Sequence, residues 1–400
     1  MSELSNYSLS YYQNTTLSHR KELGQYFTKK SLRQEITERL PALEQPRIWE
    51  PSAGTGEFVK DLLDLYPDAL VDATEIDPNL CHILKERFGN NPNVSVQNTD
   101  TLRSEFPKDH YDLVVGNPPY FEMYDLEETL QDRFSDVISG RANIYSLFLK
   151  VGLDALKEGG YLAFVIPPSM NNGAYFRKLR QYIVDQAGIY FLKVYSSDAF
   201  QDAQQSVMVL ILQKGIKRNS YIFQKDDLLI FSEDAHHLQQ AFKGKETLSD
   251  YGFKVKTGQV VWNQHKERLA SERGDDTSFL VWAHNIDDSG AIVAKDKKPQ
   301  FFRHGNKFAV QKGPAILVNR ITGKVNGGTL RAAVVDEDFE FLAENHVNVI
   351  THNKCKDIKY YNDICDQLRS RETSDLIKCL TGNTQISKTE LEKLIPLKSL

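Results

Sequence analysis

From about residue 45 to residue 213, short apolar runs alternate with stretches of helical periodicity, and few folds accept that pattern. The apolar runs are Ile48–Glu50, Leu70–Glu75, Val94–Val96, Tyr111–Gly116, Tyr161–Ile166, Phe191–Tyr195 and Ser206–Leu212. Helix-patterned segments lie between several of them; Tyr145–Leu156 places Leu149, Leu153 and Leu156 on one face. Alternation of this kind predicts an α/β fold with a Rossmann-like, doubly wound sheet. Only a loop separates the last two runs, which predicts an antiparallel hairpin at the end of that sheet. Ahead of the first strand, Ser31–Leu40 predicts a helix with Thr28 or Ser31 as its cap. Beyond residue 214 the pattern breaks down. Strands and loops become irregular from Tyr251, and Ile358–Leu380 predicts a helix. The expected organisation is a flexible polar tail over residues 1–16, an α/β domain over 17–245 and an α+β domain over 246–400.

Charge sharpens this division. Residues 251–400 carry 23 basic and 19 acidic side chains, against 26 and 35 in residues 1–250. A mildly basic C-terminal part behind an acidic N-terminal part fits a catalytic module joined to a polyanion-binding module. The four cysteines, Cys81, Cys355, Cys365 and Cys379, form no C-x-x-C pair and have no histidines at zinc spacing. A reduced, cytoplasmic protein without a structural metal is the expectation. No signal-peptide pattern or apolar run of spanning length occurs, so no membrane is expected as a partner.

Three strand ends carry a ligand signature. After the first strand comes Glu50-Pro51-Ser52-Ala53-Gly54-Thr55-Gly56, at the edge where open α/β sheets bind nucleotides. The glycines permit a tight turn and close approach of a ligand to the backbone. The pattern is not a full G-x-G-x-x-G, no Gly-Lys-Ser/Thr follows, and Glu50 and Glu57 flank it with negative charge, so phosphate is disfavoured and a cation tolerated. The second strand ends in Glu75-Ile76-Asp77, where a carboxylate can accept hydrogen bonds from two ribose hydroxyls. The third is followed by Asp100-Thr101, where a carboxylate can accept from an exocyclic adenine amine. Taken singly, these are also a structural turn, a solvated strand end and a helix cap. Taken in order on successive strands they describe a ligand with ribose, adenine, no phosphate and a permitted positive charge. S-adenosylmethionine has all four properties.

The fourth strand runs into Asn117-Pro118-Pro119-Tyr120. Two prolines fix the backbone and remove two N–H donors, and the residue before a proline is pushed out of the helical region. An amide side chain, a carbonyl and an aromatic face can then converge on one planar group bearing –NH2. The plainer reading is a rigid turn.

Together these motifs resemble the DNA adenine-N6 methyltransferases, in the group whose cofactor motifs precede the catalytic motif and a C-terminal target-recognition part. The resemblance covers about residues 19–213. It rests on Gly24-Gln25-Tyr26-Phe27-Thr28, Glu50 to Gly56, Glu75, Asp100, Asn117 to Tyr120, Asn143 to Phe148, Gly159-Gly160-Tyr161, Val165-Ile166-Pro167 and Phe200. It implies Tyr26 and Thr28 at the methionine end of the cofactor, Glu50, Pro51, Ser52, Ala53, Gly54 and Gly56 in the loop beneath it, Glu75 and Ile76 at the ribose, Asp100 and Thr101 at the adenine, and Asn117 also against the cofactor. Asn117 and the Pro118 carbonyl would hold the target amine, with Pro119 stiffening the turn and Tyr120 and Phe200 sandwiching the base. Read alone, Phe200 fits an ordinary core phenylalanine equally well. Residues 246–400 would recognise the target, with Lys312, Arg320, Lys324 and Arg331 facing phosphates or base edges. The implied activity is site-specific methyl transfer from S-adenosylmethionine to N6 of an adenine flipped out of double-stranded DNA. The implied partners are that DNA and a separate restriction endonuclease, and a self-contained recognition region fits a monomer. Glutamine N5 and ribosomal RNA methyltransferases share related loops but often carry their extra domain in front. A non-catalytic DNA-binding subunit with the same fold is the remaining alternative.

Overall fold

The computed structural model describes residues 4–22, 24–25, 27–123, 126–140, 142–195, 206–295, 298–320, 330–380 and 386–399. The chain divides into two compact units, Met1–Ala235 and His236–Leu400. The division falls at 235/236 rather than at 245/246 as expected from the Gly244–Gly252 break.

The first unit is built on seven strands: β1 (Arg47–Glu50), β2 (Leu70–Glu75), β3 (Val94–Asn98), β4 (Tyr111–Gly116), β5 (Leu156–Ile166), β6 (Ala187–Tyr195) and β7 (Val207–Lys214), in the order β3-β2-β1-β4-β5-β7-β6. The first five neighbours pair in parallel, with Ile48 opposite Val71 on one side and Leu113 on the other. Strand β7 runs antiparallel to both β5 and β6. This is a Rossmann-like α/β sheet with a terminal antiparallel hairpin. Leu113–Val115, Leu162–Ile166 and Val207–Leu212 are buried along their whole length. Continuous apolar runs of that kind belong to strands covered on both faces.

Three helices precede the sheet: α1 (Asn6–Asn14), α2 (Leu17–Glu22) and α3 (Lys30–Thr37). Four longer ones connect its strands, α4 (Glu57–Leu65), α5 (Pro78–Phe88), α6 (Ile144–Ala155) and α7 (Arg177–Gln186), with a short helical turn at Glu128–Arg133 ahead of α6. Helix α4 buries Phe58, Val59 and Leu62 at helical spacing. Helix α3 ends at Thr37, short of Leu40, and starts without a side-chain cap. Neither Thr28 nor Ser31 caps it, and the Thr28 carbonyl instead accepts from Arg33 Nη1 at 2.7 Å.

The expected flexible tail over residues 1–16 is corrected by α1. Ser5 caps this helix by accepting from the Ser8 N–H at 3.2 Å, and Ser8 and Tyr11 are buried. Its inner face is polar rather than aliphatic, so the usual apolar stripe of a docked helix is missing from the sequence. Ser8 Oγ lies 2.7 Å from Thr55 Oγ1 and 2.9 Å from Glu57 Oε1, and the Tyr11 hydroxyl donates to Asp77 Oδ2 at 2.7 Å.

The second unit holds two sheets. One is four antiparallel strands in the order Lys254–Thr257, Val347–Thr351, Ala315–Asn319, Ala332–Val335. The other is five short strands with one parallel pairing, between Thr277–Val281 and Glu340–Ala343. The helix expected over Ile358–Leu380 is two, Ile358–Arg369 and Arg371–Leu380, because Ser370 is extended. No described helix is long and apolar enough to cross a membrane.

The Tyr11–Asp77 contact ties α1 to the end of β2. Tyr11→Phe removes a hydrogen bond to a buried carboxylate, which costs about 1.5–3 kcal/mol. The expected result is a melting temperature several degrees lower by scanning calorimetry, where a tail that did not dock would leave it unchanged.

Candidate functional site

The strand order reverses between β1 and β4, and in open parallel sheets the crevice at the carboxyl ends of such a pair binds ligands. Strand β1 runs into Glu50–Gly56 and strand β4 into Asn117–Tyr120. A cleft of about 220 Å³ opens between them. On the same measure one water needs about 10–15 Å³, so the space suits a ligand far larger than water.

Eleven of the residues expected at the cofactor or target amine line this cleft: Thr28, Glu50, Pro51, Ser52, Ala53, Gly54, Glu75, Ile76, Asp100, Thr101 and Asn117. Their positions are set by hydrogen bonds between strand ends. The Gly54 N–H donates to Glu75 Oε2 at 2.8 Å, the Asp77 N–H donates to Glu75 Oε1 at 2.9 Å, and Thr101 Oγ1 donates to the Pro51 carbonyl at 2.6 Å. Asp100 caps its own turn, accepting from the Leu102 N–H at 2.9 Å, and pairs with Arg103 at 2.6 Å. Gly56 lies behind the loop rather than in the cleft, at the N-cap of α4 and against Phe88 and Leu84.

Two buried acids dominate the electrostatics. Burial, and then the charge of Glu75, push the Glu50 carboxyl well above the usual carboxylate range. Burial raises Glu75 to about 7, against hydrogen bonds from the backbone at Asp77 and Gly54. Glu50 Oε2 is buried with no hydrogen-bond partner among the described residues. A buried acceptor without a donor is costly, and beside the glycine loop it calls for a ligand that supplies N–H groups or positive charge. S-adenosylmethionine supplies both, and has no phosphate for the acids to repel.

On the catalytic side, Ser52 Oγ donates to the Asn117 carbonyl at 3.4 Å, joining the two loops. Pro119 lines the cleft and Pro118 does not. Tyr120 departs from expectation: it is buried, its ring meets Tyr145 edge-on at 6.3 Å, and its hydroxyl lies against both the Asn117 amide and the Val165 carbonyl, the latter at 2.7 Å. Its face is not open to a base in this structure, because the hydroxyl is anchored under the sheet edge. Tyr26 and Phe200 lie outside the described residues.

The N-terminal segment closes on this site from three directions. Asp77 accepts from Tyr11, from Gln25 Nε2 at 3.2 Å and from the His19 ring at 3.0 Å. Burial opposes ionisation of Asp77, but these donors outweigh it and bring the carboxyl down to about 2. Ser5, Ser8 and Arg87 converge on Glu57. Gly24, at φ +61°, touches the catalytic loop: a Cβ there would stand 2.9 Å from Pro119 Cβ and 3.0 Å from the Tyr120 nitrogen. Only glycine fits that approach. Gln25, Phe27 and Arg33 line the cleft, as do Phe58, Phe121 and Phe148, none of them anticipated one by one. Their signal was present only as periodic apolar positions and the Gly24–Thr28 motif.

In the second unit, Lys312 lines an open polar hollow with Arg273, His304 and Glu340. Arg320 is half-buried, with Nη1 3.5 Å from the Asn345 carbonyl and Nε buried with no hydrogen-bond partner among the described residues. Arg331 donates its backbone N–H to Asn319 Oδ1 at 2.6 Å. Lys324 lies outside the described residues. The hollow beside Lys312 is lined by neither Arg320 nor Arg331.

Residues 8–200 match the family of the Eco57I restriction-modification methylase. The Type II methyltransferase M.CvrRI of Paramecium bursaria Chlorella virus XZ-6E is 25% identical over 391 residues, spanning 97% of this chain and 97% of its own length. The modification methylase CviBIII of Paramecium bursaria Chlorella virus NC1A is 24% identical over 387 residues, with 96% and 95% covered. A class I S-adenosylmethionine-dependent methyltransferase structure from Listeria monocytogenes aligns with a TM-score of 0.43 at 20% identity, over 50% of this chain and 63% of its own.

A parallel sheet with a terminal hairpin, an acidic glycine loop and a family match over residues 8–200 define an S-adenosylmethionine-dependent methyltransferase. Within that class, the match over residues 8–200 and the likeness to Type II methyltransferases along nearly the whole chain support a DNA methyltransferase of the restriction-modification kind.

The buried acids make stability depend on pH. Glu75 binds its proton more tightly folded, at about 7, than unfolded, at about 4.3. It therefore contributes stability that is present below the unfolded value and lost as pH rises through about 7. Glu75→Gln is expected to flatten the fall in melting temperature between pH 5 and pH 7.5 in the protein without cofactor; a slope equal to wild type would contradict this.

Proposed function

We propose that the chain methylates N6 of an adenine that has left the duplex, and that Asn117 and the Pro118 carbonyl hold the amine. The observation that carries the reading is the junction of an Asn-Pro-Pro-Tyr turn with an acidic, phosphate-averse cleft at one topological switch point. Bound S-adenosylmethionine supplies an electrophilic methyl group. Glu50 takes its ammonium, Glu75 its ribose hydroxyls and Asp100 its adenine amine. Each of those donors favours the ionised carboxylate.

The adenine amine is a poor nucleophile because its lone pair is delocalised into the ring. Two acceptors, Asn117 Oδ1 and the Pro118 carbonyl, draw both N–H bonds to one side and localise the lone pair on the other. Fixed acceptors in a water-poor site act by position and electrostatics, so no ionised base is needed before transfer. Tyr120 orients the amide. One hydroxyl hydrogen cannot serve both the Asn117 oxygen and the Val165 carbonyl. The hydroxyl lies against Asn117 Oδ1; with the amide turned over, Tyr120 donates to the Val165 carbonyl and accepts from Asn117 Nδ2, which holds the amide by its nitrogen end and presents its oxygen to the amine.

An adenine within a duplex cannot reach this cleft, and flipping costs a few kcal/mol. We assign its capture from specific sequence to the second unit. The mildly basic balance of residues 251–400 and the full-length likeness to Type II methyltransferases support that assignment, together with a separate restriction endonuclease as a partner.

Methylation-sensitive long-read sequencing of DNA from cells expressing the chain is expected to show N6-methyladenine at one short motif. Modified cytosine, or no modified base, would overturn the adenine reading. Asn117→Ala is expected to lower turnover by about 100-fold or more, as for loss of one preorganised polar contact at a reacting centre, while cofactor affinity by calorimetry stays near wild type. Wild-type turnover in that variant would remove Asn117 from the mechanism.

A further inference from the structure

The loop between β5 and α7 leaves the sheet at the same edge as Asn117, because β5 lies parallel and adjacent to β4. It carries Tyr175, which at 58% exposure is the most exposed large hydrophobic side chain among the described residues. A single exposed aromatic is ordinary on a protein surface; the support under this one is not. The next residue, Phe176, turns inward and stacks on Tyr145 with ring centroids 5.5 Å and planes 22° apart. Tyr145 in turn meets Tyr120 of the catalytic turn. The short 3-10 turn Ala174–Phe176 is thus tied through two aromatic contacts to the motif itself.

Two further features hold the loop rigid. Arg180 Nη1 donates to the carbonyls of Met170 and Gly173 at 2.7 and 2.9 Å, and its Nε donates to the Leu229 carbonyl at 2.7 Å. Gly140, at φ +76°, lies beneath the Tyr175 ring, and a Cβ there would stand 3.2 and 3.3 Å from two ring carbons. The ring is therefore braced on backbone while most of it remains in solvent. Two residues on, the Arg177 side chain is 62% exposed, 3.7 Å from Asp227. A braced aromatic beside a guanidinium, on the edge that holds the reacting amide, suits a base face and an adjoining phosphate.

We propose that Tyr175 is a DNA-contacting side chain of the catalytic unit, stacking on a base that borders the position vacated by the target, with Arg177 on the neighbouring phosphate. Side chains that pack against opened base steps stabilise distorted duplexes in this way. The proposal rests on the reading of the chain as a base-flipping DNA methyltransferase.

The test is transfer of tritiated methyl groups to unmodified genomic DNA from a host lacking the gene, with full-length protein. Tyr175→Ala is expected to raise KM for DNA about 5- to 100-fold, the range for loss of one base–aromatic stack. KM for S-adenosylmethionine and the melting temperature are expected to stay at wild-type values. Tyr175→Phe is expected to retain wild-type KM, since the face and not the hydroxyl makes the contact. Arg177→Ala is expected to reduce the salt slope of log KM by about 1, and Tyr175→Ala to leave it unchanged. A wild-type KM in Tyr175→Ala overturns the proposal. So does a Tyr175→Phe variant as impaired as the alanine variant, or a parallel loss of thermal stability and cofactor affinity. Absence of methyl transfer by the wild-type protein would instead defeat the underlying reading, and this assignment with it.

Discussion

Reversal of strand order between β1 and β4 is the constraint on which the rest of the site depends. Every crossover before it winds the chain one way along the sheet, and every crossover after it winds the other way. The carboxyl ends of β1 and β4 are left without a helix packed directly across them. Whatever follows those two strands must line the gap. In this chain the two sequels are chemically distinct: a glycine loop with acids on one side, and an amide held by two prolines on the other. Neither motif specifies a reaction alone. Ser52 donating to the Asn117 carbonyl is the direct bond that makes them one site.

Acidic residues set what that site accepts. Glu50 and Glu75 are both buried, which opposes ionisation of each, and the charge of Glu75 adds to the difficulty of ionising Glu50. Such a pair is expensive in the empty protein and excludes phosphates. It becomes favourable only with a ligand that brings donors and positive charge. Asp77 behaves in the opposite way, held ionised by Tyr11, Gln25 and His19. Two carboxylates only two residues apart on one strand end are therefore divided by environment, one poised near neutrality and one fixed as an anion. The poised one faces the cleft; the fixed one anchors the N-terminal helix.

Much of this was legible in the sequence because it follows from local chemistry. The sheet strands were readable as apolar runs, since strands buried on both faces leave no alternation to confuse. The cleft residues from Glu50 to Gly54, Glu75, Asp100 and Asn117 were readable from their place at strand ends. What was illegible depended on distant partners. Helix α1 docks through Ser8 and Tyr11, whose targets Thr55, Glu57 and Asp77 lie far along the chain, so its inner face looks like that of a soluble tail. Tyr120 faces inward because of Val165, 45 residues on, and no reading of the turn itself contains that fact. The break at Ser370 was missed because periodicity resumes in phase with a helix on either side.

The same long-range contacts explain why the N-terminal segment belongs to the site. Gly24 sits so close to Pro119 and Tyr120 that the segment and the catalytic turn cannot shift independently. The same segment is fastened to Asp77, two residues beyond Glu75, by Gln25 beside Gly24 and by Tyr11 nearer its start. The loop after β2 is thereby joined to the turn that carries Asn117, through backbone packing at Gly24 and through the Asp77 carboxylate. A methyl donor and an acceptor amine must meet in line within a fraction of an ångström for transfer. In the proposed reaction the two halves of that alignment hang from the described residues between 5 and 28 as well as from the sheet.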